Sequence, residues 1–355
     1  MSSAGVNTRL KKFNPLRSIL GNAFGYNLAM DLGTANTLIY IKGKGVVLNE
    51  PSLVAMEDSS NKAVAVGQAA KDMFGRTPSS IKCIRPLKDG VIADFNVASI
   101  MIKHMINKVT KKRFLAKPRL IVSVPSSITQ VEKRAVIQAA YLSGVYEVRL
   151  VEEPMAAALG LGLPVDKSPA NMLINIGGGT TEIAIIRSSE TVYSNSIRVA
   201  GDVMDEAIQL CIKRKFDLQI GILEAERIKI AIGSALPSTQ KSTTPVFGRD
   251  LIRCLPQKIE VADDLIRTAL NESITTIISS IITALEQTDL KVAQDIIERG
   301  VYLAGGGALL SGLPERLSRE AGVAFHLAQD PTKAVIHGVG HVADNLKENH
   351  IYCVA

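Results

Sequence analysis

Three consecutive glycines, Gly177, Gly178 and Gly179, followed by Thr180 and Thr181, interrupt an apolar stretch that runs from Met172 to Ile186. Runs rich in Ile and Leu on either side predict strand, tight turn, strand. Glycines at such a tip can take backbone angles closed to other residues, so their N–H groups can converge on one anion. The threonine hydroxyls would stand beside that concavity. An ordinary glycine-rich hairpin would look the same if it stood alone. A second stretch, Leu28 to Ile41, has the same plan: apolar residues, an Asp, x-Gly-Thr, then a second apolar strand. Laid over each other, Asp31 matches Asn175 and Gly33 matches Gly177. Two such hairpins predict two similar half-domains facing each other across an anion of the phosphate type.

The elements that must carry these tips alternate between strand and helix, which makes the class α/β. Asn27 starts the regular part of the chain, and LNEPSLVAM after the first hairpin predicts another strand. Helical spacing follows in VASIMIKHMINKV, then the strand LIVSVP and the helix VEKRAVIQAAYLSG ending at Gly144. VRLVEEP predicts a strand, and Pro154 opens the helix MAAALGLGL. Past the second hairpin come a helix in AGDVMDEAIQLCIKRKF and a shorter one over Glu224–Gly233. A long helix covers roughly 263–286. The stretch GVYLAGGGALLSGLPERL predicts a strand that passes through Gly305, Gly306 and Gly307 directly into a helix. Mixed or polar segments near 57–85 and 234–260 predict two inserted subdomains.

Bulk properties exclude several classes. A chain of 355 residues with 46% hydrophobic content can bury a large core in two or more domains. With no Trp and 4% aromatic residues it lacks a stacking surface for single-stranded nucleic acid. Cys83, Cys211, Cys254 and Cys353 are scattered without a CxxC pair, which predicts reduced thiols in a cytosolic protein. His337 and His341 lie four apart but have no acidic or Cys companions, so they predict no metal site. The net charge of +7 is concentrated in two segments. Arg9, Lys11, Lys12 and Arg17 face no acid in residues 1–30, and seven Lys or Arg fall between Asp94 and Glu132 with no acid. The remainder is net acidic, which argues against nucleic acid as a partner. No apolar run is long enough to cross a membrane, and no signal peptide is evident. The expected location is the cytoplasm.

Within residues 1–26, Leu10, Phe13, Leu16, Ile19, Leu20 and Phe24 recur at steps of three or four between basic residues. That spacing fits a short helix on an anionic membrane surface, interrupted at Pro15; a basic tail is the other reading.

Beyond the two hairpins, the stretches DLGTANTLIY (31–40), LNEPS (48–52), IRPLKDGVIADF (84–95), VEEPMAAALG (151–160), IGGGTTEIA (176–184), AERIK (225–229) and LAGGGALL (303–310) occur in one order along nearly the whole chain from Asn27. Together they resemble the actin-like ATPase superfamily and, within it, the MreB family of bacterial actin homologues. IRPLKDGVIADF is the most specific of them, because sugar kinases and Hsp70-type chaperones resemble the hairpins but lack it. The resemblance implies an actin-like fold: two ribonuclease-H-like domains flanking an ATP cleft, each with a smaller inserted subdomain. The boundaries expected on this basis are 27–54, 88–166 and 330–355 for the first domain with 55–87 inserted. The second takes 167–203 and 263–329, with 204–262 inserted, and 1–26 is a basic amphipathic segment.

The resemblance also implies roles. Gly33, Thr34, Ala35 and Asn36 would offer backbone N–H groups to the β- and γ-phosphates from one side, and Gly177, Gly178, Gly179 and Thr180 from the other. Such donors need no lysine, which agrees with the absence of a GxxxxGK[ST] loop. Gly201 and Asp202 would close the pocket near the sugar and phosphates. Glu226 and Lys229, three apart on one helix face, would reach ribose hydroxyls, with Arg227 and Ile228 in the same motif. Gly305, Gly306 and Gly307 would leave room for a flat adenine, with Ala308 and Leu309 beside it. Asp31 would hold Mg²⁺ through water, and Glu132 would orient the attacking water in a phosphoryl-transfer reaction. Taken alone, Glu132 could equally favour a helix dipole.

Two positions depart from the family pattern. Asn175 stands where the family usually has Asp, and Ala231 where it often has an acid. Losing one charge about 5 Å from a cation removes about 3 kcal/mol of attraction at an effective dielectric of about 20. Slow hydrolysis with ATP binding retained is therefore expected, and Asn175 is placed with Asp31 and Glu132 in the reacting set.

Further expectations follow from the same resemblance. Phe114 and Leu115 at the tip of the basic loop KKRFLAKPR would insert into an anionic inner-membrane surface, together with Phe13, Leu16, Ile19 and Leu20; packing of both loop residues back onto the protein is the alternative. Self-assembly into filaments, expected as paired protofilaments, would organise cell-wall synthesis and rod shape with membrane-anchored partners. A paralogue that hydrolyses weakly and co-assembles with another family member is the alternative. A sugar kinase would need a catalytic Asp base that no motif supplies, and a Hsp70-like chaperone a substrate-binding domain, whereas the sequence ends soon after GVGHVADNLKENH.

Overall fold

The computed structural model describes residues 26–110, 117–237 and 240–354. Two large sheets carry the architecture. In the first, the strand order is Cys353–Val354, Glu147–Glu152, Arg119–Val124, Asn27–Leu32, Asn36–Ile41, Gly45–Pro51. In the second it is Phe325–Leu327, Val301–Ala304, Asn171–Ile176, Thr181–Arg187, Glu190–Ile197. Apart from the short terminal strand, the two sheets have the same plan. A hairpin and a third antiparallel strand lie on one side of the first strand, and two parallel strands reached through helices lie on the other.

The match of Asp31 with Asn175 is structural. Asp31 pairs with Leu38 across its hairpin and Asn175 with Glu182 across the other, so both sit at the same register. Asn171–Ile176 is buried along its whole length, as a central strand covered on both faces should be.

Helices cover the sheets because their apolar faces have nowhere else to go. In Asp263–Glu286 the residues Ile266, Leu270, Ile274, Ile277, Ile278 and Ile281 recur at steps of one, three or four and are buried. Asp263 and Asp264 in its first turn suit the positive end of the helix dipole. Helices Glu153–Gly160 and Ala334–Asp344 lie between the two large sheets and share one apolar cluster with both, including Ala29, Ile121, Leu173 and Ala304. The two halves are therefore joined by a packed core rather than by a linker.

Two small sheets extend the halves. Val54–Glu57, Lys62–Val66 and Ile81–Ile84 form one; Leu218–Gln219, Thr243–Asp250 and Pro256–Ala262 form the other. Val54 apart, their strands lie within residues 55–87 and 204–262.

Two expected elements differ. LNEPSLVAM is two strands in different sheets, because Pro51 ends the first and Ser52 turns aside to brace the hairpin tip. The strand Val301–Ala304 does not run directly into a helix: a 3₁₀ turn over Gly306–Leu309 and Gly312 in a left-handed conformation precede Leu313–Ala321. Phe13, Leu16, Ile19, Leu20, Phe114 and Leu115 lie outside the described residues. Among the described residues no helix is long and apolar enough to cross a membrane.

Candidate functional site: a cleft between two hairpin tips

A cleft of about 570 Å³ opens between the halves, within the range of small-molecule sites, about 300–1,000 Å³. Its lining includes Asp31, Gly33, Thr34, Ala35 and Asn36 from the first hairpin, and Asn175, Gly177, Gly178, Gly179 and Thr180 from the second. The tips touch. A Cβ built on Gly178 would lie 2.8 Å from the Cβ of Ala35, and one on Gly179 would lie 2.7 Å from the Thr34 hydroxyl. None of Gly177, Gly178 and Gly179 has a positive φ, so glycine is needed here for close approach and not for unusual backbone angles. Gly177 donates its N–H to the Thr180 carbonyl and is spent within the turn. Among the described residues, the N–H groups of Gly178 and Gly179 donate to no protein acceptor, which suits an anion.

The resembling motifs brace this meeting point. Ser52 of LNEPS donates to the Gly33 carbonyl at 2.6 Å. Gly90, within IRPLKDGVIADF, donates its N–H to the Thr34 hydroxyl at 3.0 Å. Gly201 and Asp202 donate their N–H groups to the carbonyls of Gly177 and Gly178, tying the second tip to the start of helix Gly201–Phe216.

Glu226, Lys229, Gly305, Gly306, Gly307 and Leu309 also line the cleft. The Lys229 ammonium also bonds within its own half: it pairs with Asp205 at 2.8 Å and donates to the Gly201 carbonyl at 2.8 Å. Glu226 pairs instead with Lys71. Among the three later glycines, Gly305 has φ +83° and Gly307 abuts the Ile176 side chain. At Gly306 a Cβ would meet only the Thr332 methyl, at 4.0 Å, an ordinary contact.

Several expected residues are elsewhere. Arg227 turns away to Glu224, Thr244 and the Pro245 carbonyl. Ile228 and Ala308 are fully buried in the core of the second half. Glu132 is not part of the lining; its carboxylate accepts from the N–H and hydroxyl of Thr129 at 2.8 and 2.7 Å, completing a capping box.

Sequence reasoning missed a set of buried acids beneath the tips. Glu153 lines the cleft, and Glu182 is fully buried. The Asn175 amide donates to Glu153 at 3.3 Å. Glu182 accepts from the hydroxyls of Ser126 and Ser196, both at 2.5 Å, and so links the two halves. Asp31 accepts from the Ser123 hydroxyl at 2.9 Å, and burial pushes its pKa up to about 6. Burial raises Glu153 well above the usual carboxylate range, with Glu182 and Asp31 adding repulsion. Burial likewise pushes Asp205 up to about 6 against the opposing pull of Lys229. One signal was available: Glu182 is an acid inside the apolar run TEIAII, and buried charges of that kind occupy sites rather than cores.

Comparison with known proteins agrees with this geometry. The sequence profile described as "MreB/Mbl protein" matches residues 25–351. The cell shape-determining protein MreB of Escherichia coli (strain K12) is 47% identical over 336 residues, covering 93% of this chain and 95% of the relative. The crystal structure of MreB5 of Spiroplasma citri bound to ADP superposes with a TM-score of 0.87 at 34% identity, covering 92% of this chain and 98% of that one. The same protein bound to AMPPNP gives 0.86. The MamK double helical filament, at 22% identity and a TM-score of 0.74 over 91% of this chain and 99% of that one, shares the fold. The fold is actin-like, and the chain belongs to the MreB/Mbl family.

Proposed function

We propose that this chain binds ATP in the cleft and polymerises into membrane-associated filaments that organise cell-wall synthesis and maintain rod shape. The observation that carries the reading is the pair of tips in contact at Gly178 and Ala35, with the Gly178 and Gly179 amides unspent at the cleft. Backbone donors arranged in this way bind phosphate without a lysine. The MreB5 structures hold ADP and AMPPNP, and MamK is a filament; both relatives support carrying nucleotide binding and self-association to this chain.

Asp31 would hold Mg²⁺ through water, with Glu153 nearby; the donor set of partly desolvated carboxylates suits a hard cation. When bound, the cation supplies charge neutralisation for phosphoryl transfer. Gly178 and Gly179 bind and orient the phosphates from one side, and the first tip does so from the other. Glu226 faces the sugar, and Gly306 leaves open the surface for the base. Glu132 would have to release Thr129 to orient a water.

The membrane reading has support of its own. Asn27 pairs with Arg119 in parallel strands, so the described strands that follow the basic apolar stretches 1–25 and 111–116 in sequence start next to each other. One subunit would bind weakly, and a filament presenting many copies would bind strongly through avidity. Assembly is head to tail, a contact that repeats without closing. The reading includes peripheral attachment to the inner face of the membrane, beside membrane-anchored wall-synthesis partners.

Asn175 favours a second reading, a family member that hydrolyses weakly and co-assembles with another. Negative-stain electron microscopy with Mg-ATP on an anionic lipid monolayer separates the two. Filaments of the pure chain on the monolayer are expected. Dispersed particles under every nucleotide, with filaments only after a relative is added, would favour the second reading.

A further inference from the structure

The two cleft-lining acids expected to face the sugar and phosphates are each held by a cation from the opposite half of the molecule. Lys71, on helix Gln68–Met73, places its ammonium 3.2 Å from the Glu226 carboxylate on helix Ile222–Ile232, 155 residues away in sequence. Arg85, just beyond strand Ile81–Ile84, donates to Asp202 at 3.0 Å in the first turn of helix Gly201–Phe216. Glu226 and Asp202 line the cleft, whereas Lys71 and Arg85 approach them from outside it. Both ion pairs therefore span the gap between the halves.

We infer that Lys71 and Arg85 are positioning residues that clasp the cleft and set how long a nucleotide stays in it; this rests on the nucleotide-binding reading above. Two consequences follow from the chemistry. Each cation neutralises an acid on a wall that a polyphosphate must approach, and each ties that wall to the other half. The four side chains are 29–36% exposed, so the pairs are of the half-solvated kind that forms and breaks readily. Such a clasp opens reversibly and weakens as salt screens it. The remaining acid on that wall, Asp205, is already neutralised within its own half by Lys229.

The test is stopped-flow release of a fluorescent N-methylanthraniloyl ADP from the full chain, chased with unlabelled ADP. K71A or R85A should each release it about 2–5-fold faster at low salt, and the double variant about tenfold faster, in proportion to the strength of half-exposed ion pairs. K71R should restore the slow rate. The rate of the unmodified chain should rise with salt while that of the double variant changes little. Thermal melting verifies that the variants are folded, and K71Q replaces K71A if the alanine variant is not. A double variant that is folded, binds the nucleotide and releases it at the unmodified rate would overturn the clasp. So would acceleration that is the same at low and high salt. Failure of the unmodified chain to bind the nucleotide at all would overturn the nucleotide reading and this inference with it.

Discussion

The side-chain amide of Asn175 donates to the buried carboxyl of Glu153 at 3.3 Å, at the base of the second hairpin tip. An aspartate at this position would replace that donor with a fourth acid beside Asp31, Glu153 and Glu182. Asn175 thus satisfies Glu153 in the absence of a cation, at the cost of one charge that a cation would use.

Asn175→Asp should trade stability for turnover. Removing the donor to a buried carboxyl costs about 1–3 kcal/mol, read as a lower urea midpoint without ligand. Phosphate release with Mg-ATP should rise, because the added carboxylate attracts the cation. An unchanged rate of phosphate release would count against a metal-linked role for position 175.

Stability without ligand should fall as pH rises from about 4 to above 6. Asp31 and Asp205 move from an ordinary 3.8 to about 6 in the folded state, and Glu153 moves upward as well. The folded chain binds these protons more tightly than the unfolded chain, so their contribution is complete below the unfolded value and is lost as pH passes the folded one. For Asp31 or Asp205 the loss is on the order of 3 kcal/mol at most. Glu147 and Glu224 shift downward: burial raises Glu147 but Arg119 and Arg149 outweigh it, and Arg227 lowers Glu224. Their stabilising effect is complete above about pH 4.5, the ordinary value, and is lost as pH falls below it, so it is constant between pH 5 and 7.5. Urea midpoints at pH 5 and 7.5 measure the difference, and Mg-nucleotide should shrink it.

Gly178→Ala should open the contact between the tips. A Cβ 2.8 Å from that of Ala35 forces the hairpins apart, and overpacking of this kind costs about 1–3 kcal/mol. Fluorescent nucleotide titration should show an affinity loss of about tenfold, with a modest fall in melting temperature. Unchanged affinity would mean that the tips do not jointly hold the phosphates.

Glu132→Gln separates two roles that Glu132 could serve. Gln also completes a capping box, so helix Gln130–Leu142 should keep its stability within about 0.5 kcal/mol. If the carboxylate leaves Thr129 to orient water, hydrolysis should fall by about tenfold or more. Equal turnover by both forms would leave Glu132 with its capping role alone.

Replacing Phe114 and Leu115 by Ser should release the protein from anionic liposomes in a sedimentation assay while filaments still form. Each side chain contributes about 1.5–3 kcal/mol at full burial. Retained binding would place membrane contact on residues 1–25 or elsewhere.

Both hairpins, the equivalence of Asp31 with Asn175 and the helix Asp263–Glu286 were legible in the sequence, because periodic burial and glycine punctuation are local signals. The ordered motifs likewise pointed to the family. What depended on residues far apart in sequence came only with the tertiary structure. The glycines at 177–179 looked like a conformational device, yet Ala35 and Thr34 of the other tip demand Gly178 and Gly179 for space. The contact of Lys229 with Asp205 and that of Glu132 with Thr129 appear only in the packed structure. The pairings of Lys71 and Arg85 carried no local signal, since their partners lie 155 and 117 residues away. Composition and spacing decide which element forms; which side chain a charge meets is decided by how the elements pack, and that packing sets pKa, pairing and access in the cleft.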